Sequence, residues 1–134
     1  MLLQPTQSLP FAEDDPYDKP FTQPAELAAA GIRFAFASFD TEFMRRVGNQ
    51  AGIAAGYGLP RDEALKAVTL YPAQIFGLAD QLGTIEPGKV ANLMVTNGDP
   101  LEIRTEVRYL FIKGRLTSID NRHQQLYEEY RKRP

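Results

Sequence analysis

No cysteine occurs among the 134 residues, and histidine occurs once, as His123. The first absence excludes disulfides, thiolate metal centres and cysteine nucleophiles, and it leaves the redox compartment open. One imidazole cannot build a histidine-rich metal site. A Ser-His-Asp triad would have to run through His123. No apolar run approaches the roughly 18 residues of a membrane span, so no membrane partner is expected. The stretch MLLQPTQ has neither the basic region nor the apolar core of a signal peptide. Charge of neither sign dominates: 15 basic and 17 acidic residues leave a net charge of −2. No nucleic-acid partner is expected from that balance. Gly48, Gly56 and Gly58 make no phosphate loop, because no GxGxxG or GK[ST] stands where a strand meets a helix. No internal repeat is visible.

What is present has the balance of a globular chain, 43% apolar and 24% charged. The length suits one domain or pieces of two. Residues 1–23 are read as irregular. Pro5, Pro10, Pro16 and Pro20 fall there, with Pro24 just after and the acidic run Glu13-Asp14-Asp15 between them. Proline removes donors and blocks helix interiors. So long a loop at the start points to a connection inside something larger. PAELAAAG then reads as a helix with Pro24 in its first turn and Gly31 at its C-terminal cap. IRFAFASF, residues 32–39, has one strongly polar residue, Arg33. Both faces are expected to be covered, as in a strand of a parallel α/β sheet.

Residues 41–57 carry Met44, Val47, Ala51 and Ala54 on one helical stripe. Residues 60–71 follow as a second helix, with Asp62 and Glu63 in the first turn and an apolar face of Ala64, Leu65, Val68 and Tyr71. Pro72 opens a short helix over 72–77, capped by Gly77. The pattern then changes. Glu86-Pro87-Gly88-Lys89 fits a type II turn. Asn92–Thr96, Val107–Ile112 and Arg115–Ser118 read as strands, with turn signals at Asn97-Gly98 and Lys113-Gly114. Residues 120–134 form a last helix. Asp120 is its expected N-cap, Leu126, Tyr127 and Tyr130 share one face, and Arg131-Lys132-Arg133 stand at its C-terminal end.

Residues 64–100, ALKAVTLYPAQIFGLADQLGTIEPGKVANLMVTNGDP, with VRYLFIKGR further on, resemble the C-terminal end of the amidohydrolase superfamily. The imidazolonepropionase-like branch is the nearest in wording. The dihydroorotase and hydantoinase types stand further off. Thr69, Pro72, Ala73, Gly77, Gly83, Glu86, Gly88, Lys89, Ala91, Asp99, Pro100 and Gly114 fit that wording in order and spacing. The resemblance spans roughly residues 24–117. It departs at Val90 and Asn92, where the family favours acids that are structural.

The resemblance implies an α/β fold in which the last βα units of a TIM barrel join strands of a small β-sandwich. Residues 24–80 would end the barrel, with 32–39 as its eighth strand. Residues 81–119 would be the C-terminal strands of the composite sandwich, and 120–134 the closing helix. It implies hydrolysis of C–N bonds other than ordinary peptide bonds, such as a cyclic amide, by a water activated on zinc or a similar divalent ion. The substrate would be a small molecule. The family's histidine ligands lie on strands that this chain lacks, so the chain is expected to bind no metal alone and to be inactive alone.

One catalytic and metal-ligating residue carries over, Asp40 in SFDTEF, at the end of the expected strand. The family has Thr or Ser where this chain has Phe39. Asp40 could equally cap the following helix. Arg45 and Arg46 either meet an acidic substrate or lie in surface ion pairs. His123 reads as a helix residue, and the Tyr127 and Tyr130 stripe as packing. A rival reading is a non-catalytic assembly module derived from an amidohydrolase. In either case the missing barrel portion or a second copy would have to cover the apolar strand.

Overall fold

The computed structural model describes residues 1–41 and 44–132. Glu42 and Phe43 of the expected 41–57 helix, and Arg133 and Pro134 at the terminus, lie outside the described residues. The architecture is mixed α/β and has two sheets. The first is a parallel pair, β1 (Leu2–Leu3) beside β2 (Ala35–Phe36), joined through α1 (Lys19–Ala29). A 3-10 turn (Met44–Arg46) and three helices follow: α2 (Val47–Gly56), α3 (Arg61–Lys66) and α4 (Leu70–Ile75). The second sheet is an antiparallel meander of β3 (Leu93–Thr96), β4 (Val107–Ile112) and β5 (Arg115–Thr117). Helix α5 (Arg122–Tyr130) comes last. No helix among the described residues is long and apolar enough to cross a membrane.

The segment 1–23 is not irregular throughout. Leu2 pairs with Ala35 and Leu3 with Phe36. The ladder stops there because Pro5 has no N–H to give. The same shortage limits β2, expected over eight residues, to two. Helix α1 starts at Lys19, five residues before Pro24. Pro20 sits in its first turn, where N–H groups have no intrahelical partner. Pro24 leaves one helical carbonyl without its N–H, but its ring is among the most completely buried side chains. Gly31, at φ +70°, closes the helix. Its N–H reaches Ala28 O, and the Ile32 N–H reaches Leu27 O at 2.9 Å, the paired bonds of a Schellman cap.

The core gathers Leu3, Phe34, Phe36, Ala51, Ala54, Leu59, Ala64, Ala67 and Leu101. Phe34 and Phe36 meet edge to face at 5.5 Å between ring centres. Phe34, Ala35 and Phe36 are all buried within this chain, so both faces of β2 are covered, whereas Ile32 and Phe39 at the ends of the expected strand are exposed. Two details of the helical reading change. Met44 is exposed, because it belongs to the 3-10 turn, where the 3.6-residue period of the stripe does not apply. The expected 60–71 helix breaks after Lys66. Ala67 replaces Leu65 on the buried face, and Pro72 falls inside the first turn of α4.

The turn chemistry of the second half is legible. Lys89 N–H bonds Glu86 O and Gly88 has φ +91°, as a type II turn requires. Lys113 and Gly114, both at positive φ, turn β4 into β5. Asn92 Oδ1 accepts from the Lys113 N–H at 2.9 Å, which ties the segment before β3 to the turn between β4 and β5. Asn97-Gly98 does not close a tight hairpin. It opens a loop to Val107, and that loop drives Leu101 into the core. Asn121, not Asp120, caps α5, with Oδ1 accepting from Gln124 N–H at 3.0 Å. Helix α5 has no buried residue, so the expected packing face of Leu126, Tyr127 and Tyr130 is exposed rather than part of the core.

Candidate functional site

The chain leaves β2 through Ala37-Ser38-Phe39-Asp40. Phe39 takes φ +51°, a left-handed conformation that β-carbon sterics disfavour. Ser38 supports the turn: its hydroxyl donates to Asp40 O at 2.7 Å and accepts from the Asp40 N–H at 3.4 Å. Asp40 is exposed and lines a cleft of about 370 Å³. The opposite wall is the loop after β1, which contributes Pro5, Gln7 and Ser8. Arg46 and Gln50 bound it from the 3-10 turn and α2. The cleft thus lies at the carboxyl ends of two parallel strands, where α/β folds place their ligands. Helix α2 begins at Val47 with Arg46 at its N-cap; the start of the expected 41–57 helix, which Asp40 would cap, lies outside the described residues.

Two buried polar atoms near this cleft, Thr6 Oγ1 and Gln50 Oε1, have no hydrogen-bond partner among the described residues. Thr6 is fully buried, and Gln50 is 2% exposed with Oε1 unpaired. Such groups cost free energy when left unsatisfied. Neither they nor Gln7 and Ser8 carried a sequence signal. Three apolar residues before a proline are too few to show a period, so the strand that brings the loop to Asp40 was not legible.

A second cavity of about 460 Å³ adjoins the first and shares Gln7 and Arg46 with it. It runs along α2 past Asn49 and Ile53 to Leu101, Glu102 and Ile103. The loop on its far side is clamped. Arg61 donates to Asp99 Oδ2 and, at 3.2 Å, to Glu102 Oε1. Asp99 Oδ1 accepts from the Leu101 N–H at 2.8 Å. That backbone bond first, and Arg61 second, hold the Asp99 carboxyl below its usual range. His123 lies exposed on α5 and Arg45 exposed in the 3-10 turn, and neither lines these cavities.

Asp40 is the one carboxylate lining the first cleft among the described residues. The described residues hold no group of three or more His, Asp or Glu side chains that could hold a metal ion.

A model of the amidohydrolase family matches residues 28–118. An amidohydrolase from Thermotoga maritima MSB8 superposes with a TM-score of 0.68 at 30% identity, over 83% of this chain and 29% of that one. Among curated relatives, N-acetylglucosamine-6-phosphate deacetylase of Haemophilus influenzae is 49% identical over 37 residues, 28% of this chain and 10% of the relative. N-substituted formamide deformylase of Arthrobacter pascens is 46% identical over 50 residues, 37% of this chain and 9% of the relative. The chain spans a tenth or less of the length of these two curated relatives.

Proposed function

This chain belongs to the amidohydrolase family, and from that premise we propose that it is the C-terminal portion of a metal-dependent enzyme that hydrolyses C–N bonds other than ordinary peptide bonds. In this reading β1 and β2 are neighbouring strands of a TIM barrel, α1 is their crossover helix, and β3–β5 belong to a small sandwich beside the barrel. The observation that carries it is the position of Asp40, in a cleft at the carboxyl ends of the parallel strands. Active sites of barrels gather at that face. The names of the deacetylase and the deformylase are in keeping with the reaction class. The substrate is a small molecule, a cyclic amide or a related compound. Asp40 is the residue this chain brings to the reaction, as one carboxylate ligand and as the group that passes the proton. Zinc or a similar divalent ion, when bound, makes a coordinated water acidic near neutral pH. The other donors come from outside the described residues.

The test is the source DNA upstream of the Met1 codon. An in-frame continuation encoding His-x-His on an early strand and two later histidines is the expected result. A stop codon and promoter immediately upstream would overturn it. Purified chain mixed with amide substrates and zinc is expected to show no turnover above buffer.

A second reading, a non-catalytic module that assembles with itself, is favoured by one observation. Sheet β3–β5 exposes apolar side chains from both faces: Val95, Tyr109 and Leu116 from one, Met94 and Ile112 from the other. Its occupant would be the missing portion of the fold in the first reading and a second copy of the chain in this one.

A further inference from the structure

We propose that the loop after β1, residues 5–18, is an association surface that docks on one face of the β3–β5 sheet of a second copy of this chain. The inference goes beyond the hydrolase reading and does not rest on it. It gives an occupant to the sheet face of Met94 and Ile112 and leaves the face of Val95, Tyr109 and Leu116 as described above. The loop is a series of hydrogen-bonded turns. The Ser8 N–H donates to Pro5 O at 3.0 Å, the Asp15 N–H to Ala12 O at 3.2 Å and the Lys19 N–H to Pro16 O at 3.0 Å. Asp15 Oδ2 accepts from the Ala12 N–H at 3.1 Å. Pro5, Pro10 and Pro16 fix further backbone angles. These turns hold Leu9, Phe11 and Tyr17 in the open, at 88%, 95% and 81% exposure. An apolar tip already stiffened loses little freedom when a partner covers it.

Charge identifies what covers that tip. Residues 5–18 hold Glu13, Asp14, Asp15 and Asp18 and no basic residue. Lys19, the next residue along, is turned to Glu26 at 2.6 Å. Glu13 and Asp14 are exposed and have no ion pair among the described residues. The matching surface is therefore apolar, exposed and basic, and this chain carries one. Along β4, Arg108, Leu110 and Ile112 share one face. The register sets Met94 beside Leu110 and Arg115 beside Ile112 on that face. Met94 and Ile112 are exposed. Arg108 is exposed and pairs with Glu106 at 2.9 Å. Arg115, and Lys113 at the turn, are exposed with no ion pair among the described residues. From Ile103 to Ile119 the only acid is Glu106, against Arg104, Arg108, Lys113 and Arg115. A patch of the loop's own sign would repel it, and this one attracts it. Both patches belong to the same chain. Two copies about a two-fold axis can each seat a loop on the other's sheet, so the contact is made twice. Attraction between the charges selects and orients the pair, and burial of Leu9 and Phe11 against Met94 and Ile112 supplies the affinity.

The test is an exchange of charge, read by sedimentation velocity on the full chain. Every sample carries Tyr109→Lys and Leu116→Lys, so that the opposite face of the sheet does not contribute, and the chain with those two changes alone is the parent. One variant reverses the loop, Glu13→Lys with Asp14→Lys. The other reverses the sheet, Arg108→Glu with Arg115→Glu. All four positions are exposed. Each variant alone sets like charges against each other and should associate about tenfold or more weakly than the parent. Their equimolar mixture restores opposite charges at both contacts and should recover the association. A parent that stays monomeric at millimolar concentration, variants that associate as the parent does, or a mixture that does not recover would each overturn the proposal. A second measurement needs no variant. Carbodiimide coupling of a mixture of light and heavy isotope-labelled chains should join Glu13 or Asp14 of one copy to Lys113 of another. Coupling of these acids only within one chain would also overturn the proposal. Neither measurement involves metal or turnover. A failure here leaves the hydrolase reading standing, and a stop codon upstream of Met1 leaves both measurements valid.

Discussion

Asp40 combines two properties that seldom occur together in a structural residue. It is exposed, and its backbone is held by Ser38 in a turn that forces Phe39 to positive φ. Positions held in sparsely populated backbone regions gather at functional sites. Asp40→Asn keeps the size and removes the charge. In the assembled enzyme it should lower kcat by about two to four powers of ten, the scale of a lost acid-base group. The unfolding free energy of the isolated chain should change by no more than about 1 kcal/mol, the scale of an exposed polar contact. Steady-state kinetics and urea unfolding read the two effects separately. A second residue-scale prediction concerns Glu63, which accepts from Lys66 Nζ at 2.8 Å and from the Tyr71 hydroxyl. Those bonds, Lys66 first, hold its carboxyl below the usual 4.5. A depressed carboxyl adds stability above its unfolded value and loses it as pH falls through the folded one. Glu63→Gln should therefore flatten the decline of stability on the acid side of about pH 4.5. The side chain is 30% exposed, so the effect should not exceed about 1 kcal/mol. Unfolding midpoints measured across that pH range check it.

At the scale of elements, the join between α2 and the loop 97–106 decides the shape of both cavities. Gly52 lies in the interior of α2, where glycine costs about 1 kcal/mol of helix stability relative to alanine. Helix propensity alone predicts that Gly52→Ala stabilises. Packing predicts the reverse, because a β-carbon there would stand 2.3 Å from the carbonyl oxygen of Leu101. That oxygen is backbone, held by the Asp99 bond to the Leu101 N–H and by the Arg61 clamp, and cannot swing aside. Overpacking of this kind costs about 1–3 kcal/mol, so packing wins and the variant should be destabilised. Urea unfolding gives the sign directly. The same join explains why the Asn97-Gly98 signal misled. A glycine turn between two strand-like segments reads as a tight hairpin, but Leu101 must reach a core built by α2 and β2.

For the whole molecule, the distribution of apolar surface is the informative feature. The half around β1, β2 and α1–α4 holds the buried core, although Leu9, Phe11 and Phe76 there stay exposed. The meander β3–β5 buries none of its residues: Tyr109 is 55% and Leu116 65% exposed, and they share a face with Val95. Exposed contiguous apolar surface on a sheet invites another chain. Purified chain should self-associate with rising concentration. The double variant Tyr109→Lys with Leu116→Lys should shift the population toward monomer without lowering the unfolding free energy by more than about 1 kcal/mol, since both side chains face solvent. Sedimentation velocity distinguishes this from association through another surface, which the double variant would leave unchanged.

Local chemistry made much of this legible in the residues themselves. Gly31 and Gly77 cap helices because their backbone must turn left-handed. Pro87-Gly88 and Lys113-Gly114 make the turns their residue types demand. The family wording between Ala64 and Gly114 reported the kinship that the comparisons bear out. These are short-range constraints, and neighbours in sequence suffice to impose them. The cleft is of another kind. Asp40 could be marked from the sequence as a residue at a strand's end, but Gln7, Ser8, Arg46 and Gln50 became its neighbours only when Leu2 and Leu3 paired with Ala35 and Phe36 and α2 packed on that pair. The lean of Leu101 against Gly52, and the exposure of Tyr109 and Leu116, belong with it. Each depends on which surfaces meet across tens of residues of chain, and a side chain carries no local mark of the neighbour that the fold will bring to it.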